Sequence, residues 1–274
     1  MITSKYKPSN VVLSLFLFGL GILMILPMFW MISTSFKTRS QIYQPNWIPN
    51  PFTLLNYQYV LDKMPLARML FNSIFVSLLS TLGQLFIGTL AAYAFARIRF
   101  FGRNIVFMIF LGTMMIPGYV LITPLYLIIS KLGILNTYAA LIVPRLVSVF
   151  AIFLLRQFFL SMPKELDESA FIDGANRFRV LFQIISPNCK PAFTALFIFL
   201  FMGAWNDFMW PLIVTNTEAM RTIQVGVAYF RDTNTVLWGA TMAASFLASI
   251  PILIVFLIAN RSFVEGITMT GIKG

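Results

Sequence analysis

The stretch ESAFIDGANRFRVLFQIISP, from Glu168 to Pro187, is rich in charged and polar residues, whereas long apolar runs dominate the rest of the chain. Of the 274 residues, 59% are hydrophobic and 11% are charged. Apolar runs of about twenty residues recur along the sequence, and runs of that length suit helices that cross a bilayer. The composition therefore predicts an all-α, polytopic membrane protein in which Glu168 to Pro187 lies outside the bilayer.

Six apolar segments predict six transmembrane helices within a single transmembrane domain, residues 1–274. The predicted spans are Val11 to Ser33, Leu70 to Phe95, Ile105 to Ile129, Ala139 to Phe159, Pro191 to Val214 and Leu237 to Ile258. Five prolines predict bends within these spans or at their ends: Pro117, Pro124, Pro144, Pro211 and Pro251.

The basic residues predict the orientation of the spans, because short cytoplasmic loops collect Lys and Arg. Counted on alternate sides of the six spans, twelve basic residues fall on one side and eight on the other. The side with twelve is expected to be cytoplasmic, which places both termini and Glu168 to Pro187 there. The loop from Lys37 to Arg68 then faces outward. The net charge of +11 is spread over short loops, so no nucleic-acid partner is expected.

Glu168 to Pro187 and the residues before it have the features of a helical hairpin. Acidic residues favour a helix N-terminus at three positions, Glu165, Asp167 and Glu168. Gly174 can supply a left-handed turn that ends this first arm. A second arm is expected to place one apolar face on Phe178, Leu181, Phe182 and Ile185 before Pro187 interrupts it. The alternative is an ordinary cytoplasmic loop that rests on lipid headgroups.

The intervals in this hairpin also resemble the EAA loop in permeases of binding-protein-dependent ABC importers. The pattern of that loop is Glu-Ala-Ala, three residues, Gly, nine residues, Ile, one residue and Leu-Pro. The present chain keeps every interval, with Glu168, Ser169, Ala170, Gly174, Ile184, Ser186 and Pro187. Ser169 replaces Ala and Ser186 replaces Leu, and both changes preserve the glycine turn and the proline.

Further segments look like the carbohydrate-uptake, MalG-like branch of these permeases. They are Asp173-Gly174-Ala175, Asn72 to Ser77, Ala91 to Arg97, Trp205 to Leu212 and the glycine-containing end from Gly266 to Gly274. The resemblance covers nearly the whole chain. It implies a type I ABC importer permease fold in a bacterial inner membrane, with a sugar or oligosaccharide as the transported solute.

The resemblance also implies which subunits are the partners of this chain and which of them hydrolyse ATP. The partners would be a second permease in a heterodimer, two cytoplasmic ATPase subunits and an extracytoplasmic solute-binding protein. Residues 163–187 would form the coupling loop, with contacts to the ATPase from Glu168, Ser169, Ala170, Asp173, Gly174, Ala175, Phe178 and Pro187. This chain would have no catalytic residue and no bound cofactor, and ATP and Mg would bind the ATPase subunits. The sequence contains no Gly-x-x-x-x-Gly-Lys-Ser/Thr phosphate loop.

Candidates for the substrate pathway are polar or aromatic residues in the apolar spans: Trp205, Asn206, Asp207, Gln84 and Asn72. Stacking aromatic rings, amides and carboxylates suit sugar binding. Alternatives are an interfacial tryptophan belt, an aspartate paired between helices and interhelical hydrogen bonds from Gln84 and Asn72. Arg145 is expected to be ion-paired or to extend to the interface, with lining of the pathway as the alternative.

Other function classes lack their usual residues. The chain has no histidine and one cysteine, Cys189, so no metal site is expected and an integral membrane enzyme is disfavoured. A secondary transporter would require an internal repeat and buried ionisable pairs, which the sequence does not display. A non-sugar solute such as a glycerol phosphate remains an alternative cargo. The C-terminal tail, Phe263 to Gly274, is expected to be an extended segment against a partner.

Overall fold

The computed structural model describes residues 8–230 and 237–271, with side chains for residues 12–230 and 237–258. The α-helices in these ranges are α1 Pro8–Ser35, α2 Leu55–Lys63, α3 Leu66–Arg97, α4 Arg103–Thr113, α5 Ile122–Lys131, α6 Tyr138–Ile142, α7 Val149–Ser161, α8 Glu165–Ile172, α9 Arg177–Arg179, α10 Ser186–Asn188, α11 Lys190–Trp205, α12 Met209–Val214, α13 Ile223–Ala228 and α14 Trp238–Gly271. Short 3-10 helices cover Gly118–Leu121, Val143–Arg145 and Glu218–Met220, and a π-helix covers Val180–Ile185. No strand occurs in these ranges, so the all-α prediction is confirmed.

Three described helices are long and apolar enough to cross a membrane unbroken, within α1, α3 and α14. Three bent pairs meet the same length and composition test, and each pair changes direction at a short break. They are Arg103–Thr113 with Gly118–Lys131, bent by 90°, Tyr138–Arg145 with Val149–Ser161, bent by 42°, and Arg177–Asn188 with Lys190–Trp205, bent by 84°. Counting each pair as one span gives six, the predicted number, although the third pair begins in the hairpin and only Lys190–Trp205 overlaps the predicted span Pro191 to Val214.

Three of the predicted spans are not single unbroken helices, and two of these breaks lie close to prolines, Pro117 and Pro144, for which the sequence predicted bends. Ile105 to Ile129 breaks before Pro117, which has no amide hydrogen to donate to the preceding turn. Ala139 to Phe159 breaks at residues 146–148, after the 3-10 helix that contains Pro144. Pro191 to Val214 breaks between α11 and α12, where Asp207 Oδ1 accepts a hydrogen bond of 3.4 Å from the Trp210 amide. This side chain takes the place of a backbone acceptor. By contrast, α14 continues through Pro251.

Residues 1–66 and 226–250 form one compact unit, whose described part contains α1, α2 and α14 as far as Ile250. The side chains of α1 face outward over most of its length, and none of its most apolar window is buried. Asn56 in α2 donates hydrogen bonds to the carbonyl oxygens of Ser35, at 2.9 Å, and Lys37, at 2.8 Å. These bonds attach α2 to the end of α1.

Residues 67–225 and 251–274 form the second unit. Its main apolar cluster joins α3, α7, α8, the π-helix and α11, with Ala92, Leu155, Ala170, Leu181 and Leu196 among its buried members. Close approach between α3 and α7 requires a small residue, because a Cβ at Gly88 would lie 3.2 Å from the Cβ of Ala151. A second cluster joins α3 to α5, α6 and α12. The hairpin thus packs on long helices of its own unit.

The hairpin has the predicted helix, glycine turn and helix. Its first arm is α8, Gly174 has a φ of 78°, and its second arm is Arg177–Asn188. The expected apolar face of the second arm is only partly correct: Leu181 and Ile185 are buried, whereas Phe178 and Phe182 are exposed. The π-helix accounts for part of the difference, since its wider turn places Val180 and Ile185, five residues apart, on the buried face.

The expected extended tail is also wrong for the described residues, because α14 continues as a helix through Gly271. A glycine costs about 1 kcal/mol in a helix, but an existing helix extends without a new nucleation step. Residues 272–274 lie outside the described residues.

Candidate functional site: the hairpin and a polar cavity

Most hairpin residues selected from the sequence lie at the surface. Exposed members are Glu168, Ser169, Asp173, Gly174, Phe178 and Pro187. Ala175 is half-buried and Ala170 is buried in the apolar cluster beneath α8. The arm therefore has an outer face of polar and acidic residues and an inner face that packs on the unit.

Large apolar side chains are exposed beside these acidic residues. Ile172 is 86% exposed and Phe178 is 66% exposed, and Phe171 adds a third apolar side chain at the turn. An exposed apolar group rimmed by polar residues is typical of a surface that binds another protein. Sequence reasoning included Phe178 but missed Phe171 and Ile172, although both lie inside the recognised loop.

The turn is built by backbone and side-chain hydrogen bonds. The Gly174 amide donates to the Phe171 carbonyl at 3.1 Å, and the Ala175 amide donates to the Ala170 carbonyl at 2.9 Å. Asn176 then caps the second arm, because its Oδ1 accepts from the Arg179 amide at 2.9 Å. Each arm therefore ends or begins at a defined residue, which gives the hairpin a fixed shape.

Arg97, at the end of α3, contacts the beginning of the hairpin. Its Nε lies 3.3 Å from Asp167 Oδ2, and its Nη2 donates to the Met162 carbonyl at 2.9 Å. Burial raises the pKa of the Asp167 carboxyl, while the Arg97 charge acts in the opposite direction. In the sequence, Arg97 ends the segment Ala91 to Arg97 that resembles the permease family, and it lies on the side with twelve basic residues. No sequence pattern indicated that it pairs with Asp167.

A second polar region lies where two spans are broken. Arg145 Nη1 forms an ion pair and hydrogen bond with Asp207 Oδ2, and Arg145 Nη2 donates to the Gly203 carbonyl at 3.1 Å. The two side chains are 25% and 18% exposed. They line an open cavity of about 560 Å³, together with Tyr119, Asn206 and further residues of α5, α11 and α12.

The pathway candidates do not all meet at this cavity. Asn206 and Asp207 line it, and Arg145 joins them through the ion pair. Trp205 is 2% exposed and its ring stacks on Phe201 at 5.8 Å.

Two candidates on α3 lie elsewhere in the same unit. Asn72 is fully buried, donates to the carbonyl oxygens of Ala219 and Arg221 at 2.9 Å each and accepts from the Tyr138 hydroxyl at 2.7 Å. Gln84 is buried too. In the part of the chain that the structure describes, no three His, Cys, Asp or Glu residues group as metal ligands.

Comparisons with known proteins agree with this geometry. Residues 84–268 match the family described as "Binding-protein-dependent transport system inner membrane component". The trehalose/maltose transport system permease protein MalG of Thermococcus litoralis is 36% identical over 260 residues, which cover 93% of this chain and 94% of the relative. The sn-glycerol-3-phosphate transport system permease protein UgpE of Brucella abortus is 35% identical over 264 residues, 92% of this chain and 93% of the relative.

The fold has a solved counterpart. A chain in the crystal structure of a bacterial ABC transporter involved in the import of the acidic polysaccharide alginate superposes with a TM-score of 0.81. The match covers 96% of this chain and 99% of that chain at 20% sequence identity, so it shows a shared fold. The chain therefore belongs to the family of binding-protein-dependent transport system inner membrane components, as the non-catalytic permease component of an ABC importer.

Proposed function

We propose that this permease imports a sugar or oligosaccharide and forms the translocation pathway with a second permease subunit. The relatives named for trehalose and maltose support a carbohydrate cargo. The relative named for sn-glycerol 3-phosphate makes a phosphorylated solute the alternative. The polar cavity beside Arg145 provides a chemical reason to choose between these two kinds of solute.

The charge of the cavity favours a neutral, polyhydroxylated solute. Among the described residues that line the cavity, Arg145 is the only basic one, and Asp207 neutralises it in the ion pair. A phosphate would have to compete with Asp207 for this guanidinium. Hydroxyl groups need no free cation, because they can donate to a carboxylate and accept from an amide. On this basis Asn206 and Asp207 contact the solute.

The other pathway candidates have surroundings that suit a different role. Trp205 and Asn72 are buried, and the hydrogen bonds of Asn72 to two carbonyl oxygens are of the kind that hold helices and loops together. Gln84 is likewise buried on α3. Burial favours a packing role for all three residues, and the contact of Asn72 with Tyr138 of α6 agrees with the interhelical hydrogen bond that was the alternative for Asn72.

The hairpin is proposed as the coupling surface for a cytoplasmic ATPase. The observation that carries this assignment is the exposure of Ile172 and Phe178 beside the acidic residues Glu168 and Asp173. A cleft of the ATPase lined by apolar and basic side chains would match this surface. ATP and Mg then bind the ATPase subunits, and an extracytoplasmic binding protein delivers the solute. Both termini and the hairpin are cytoplasmic in this arrangement, residues 163–187 form the coupling loop, and residues 1–274 form one permease domain.

Site-directed crosslinking tests the coupling surface. Ile172→Cys, in a Cys189→Ser background, is co-expressed with the second permease and with ATPase subunits that carry single cysteines around their candidate cleft. We expect an oxidative crosslink between Ile172→Cys and an ATPase cysteine. Phe101→Cys is the matched control, because Phe101 is also fully exposed and belongs to the loop after α3. Equal crosslinking at both positions, or none at Ile172→Cys, would contradict the assignment.

Uptake by proteoliposomes tests the cargo. The complete transporter is supplied with ATP, its binding protein and, in separate reactions, maltose, trehalose or sn-glycerol 3-phosphate. We expect ATP-dependent accumulation of a neutral sugar and little accumulation of the phosphate. The opposite preference would establish the alternative cargo and would remove Asn206 and Asp207 as sugar contacts.

A further inference from the structure

One side chain of α3 holds two parts of the hairpin together. Arg97 is the last residue of α3, and its Nε approaches Asp167 Oδ2 to 3.3 Å in the first turn of α8. Its Nη2 donates to the carbonyl oxygens of Met162, at 2.9 Å, and Pro163, at 3.4 Å. One guanidinium group therefore contacts both the segment that leads into α8 and α8 itself.

This ion pair is shielded from solvent. The Arg97 side chain is 5% exposed and the Asp167 side chain is 10% exposed. Within residues 12–230 and 237–258, Arg97 is the only cation that forms an ion pair with Asp167. The neighbouring Glu168 points to the surface instead, so the two adjacent acidic residues face different surroundings.

Apolar packing accompanies the ion pair but cannot replace it. Tyr93 and Ala96 of α3 belong to the same buried cluster as Ala170 of α8. Apolar contacts are non-directional, so they tolerate sliding or rotation of one helix on another. The planar guanidinium of Arg97 does not, because its Nη2 hydrogen bonds to the Met162 and Pro163 carbonyl oxygens require those acceptors at fixed positions while the Asp167 carboxylate lies beside its Nε. The hydrogen bonds and the ion pair of Arg97 therefore fix the orientation of α8 on the end of α3.

Stability alone gives a weak reason for this pair. Burial raises the pKa of Asp167, which means that the carboxylate is less favourable here than in water, although Arg97 offsets part of that cost. Buried ion pairs often contribute little net stability, and in some proteins they specify one geometry among several that apolar packing would allow. If the pair instead fixes the orientation of α8, breaking it should change the amount of solute transported per ATP hydrolysed.

We propose that Arg97 and Asp167 are positioning residues for energy coupling, because they hold α8 in one orientation on α3. When the ATPase displaces the hairpin, α3 then moves with it, and the displacement is not lost in sliding at the interface. This inference rests on the proposed coupling role of the hairpin. It adds a defined connection from that surface to one membrane span.

The test compares solute uptake with ATP hydrolysis in the complete transporter, reconstituted in proteoliposomes with its binding protein and ATPase. The variants are Arg97→Gln, Asp167→Asn and the double variant R97Q/D167N. Arg99→Gln is the matched control, since it removes the same charge two residues away at an exposed position. We expect solute transported per ATP hydrolysed to fall about tenfold in both single variants and to stay unchanged in the control.

Two further variants separate positioning from simple loss of charge. Arg97→Lys keeps the charge, but one ammonium cannot pair with Asp167 and also donate to both carbonyl oxygens in the same fixed geometry, so it should restore little coupling. The double variant should lose no more coupling than Arg97→Gln alone, because that substitution already breaks the ion pair with Asp167. Since it leaves no unpaired buried charge, the double variant also carries the test if a single variant fails to insert.

Crosslinking at Ile172→Cys distinguishes failure of this inference from failure of the proposed function. If the crosslink to the ATPase forms and the double variant transports as much solute per ATP as wild type, the positioning role is wrong and the docking surface stands. If the crosslink never forms, the coupling surface itself is wrong. Reduced coupling with the crosslink intact supports the inference.

Discussion

Replacement of Gly174 provides a quantitative test of the hairpin turn. Gly174 has a φ of 78°, where an L-residue pays about 1–2 kcal/mol relative to its right-handed conformation. No atom lies within 4 Å of an ideal Cβ at this position, so the cost of a side chain is conformational and involves no clash. The substitution therefore perturbs the turn and leaves the packing beneath it unchanged.

The expected loss follows from this cost. An energy of about 1–2 kcal/mol lowers the population of the correctly turned hairpin by about 5–30-fold relative to a competing conformation. The transport activity of Gly174→Ala should fall by a factor in this range. The activity of Gly174→Val should fall further, because a β-branched residue is an outlier at positive φ, and that of Gly174→Asn should fall less, because asparagine tolerates this region. The order of activities should be Gly, Asn, Ala and then Val.

The assay is binding-protein-dependent uptake in proteoliposomes, with ATP hydrolysis measured in the same preparation. Gly112→Ala serves as the control, because Gly112 lies at an ordinary helical position of α4 and also has no atom within 4 Å of an ideal Cβ. This control should transport normally. If Gly174→Val inserts and couples as well as Gly112→Ala, the turn does not need its positive φ and the reasoning about coupling through a rigid hairpin is refuted.

Three other predictions concern topology, the ion pair and pH. In a background without the native cysteine, an impermeant thiol reagent should label a cysteine at Asn50 in intact cells and should not label one at Asn176; the reverse pattern would invert the orientation. Asp207→Asn leaves the Arg145 charge unpaired, and partial exposure limits the expected loss to about 1–2 kcal/mol of unfolding free energy, measured as a lower melting temperature than that of Asn206→Ala. Because burial raises the pKa of Asp167 above 3.8, the protonated carboxyl is favoured in the folded state, so its contribution to stability is present at low pH and is lost as pH rises through the folded-state pKa. Asp167→Asn cannot titrate, so the melting temperature of wild type minus that of this variant should fall as pH rises from about 4, and parallel pH profiles would contradict this sign.

The hydrophobic pattern predicted the class of fold because the length of an apolar run is a direct physical requirement for crossing a bilayer. It could not predict the breaks in three spans. Asp207 is an acceptor for the Trp210 amide and pairs with Arg145, 62 positions earlier in the chain. Average hydropathy over a window contains no information about such a partner. The prolines gave a signal for bends, but Pro251 shows that a proline alone does not end a helix.

The hairpin was predictable where local chemistry determines it. Acidic residues at the first turn and Gly174 at the end of the first arm each have a local reason. The second arm was less predictable, because a π-helix from Val180 to Ile185 alters the expected spacing of its buried residues. The contact between Arg97 and Asp167 depends on tertiary packing, so the sequence indicated only the charge of each residue.

The length of α3 determines how far one of its ends moves when the helix tilts slightly about the other. This helix contains 32 residues and no proline, and polar side chains attach it near both ends, Asn72 at one and Arg97 at the other. At a rise of about 1.5 Å per residue, these two attachment points are about 38 Å apart. A tilt of about 5° about one point would shift the other by about 3 Å, roughly the diameter of a water molecule. A straight helix of this length thus turns a slight change in angle into a displacement large enough to break and remake hydrogen bonds.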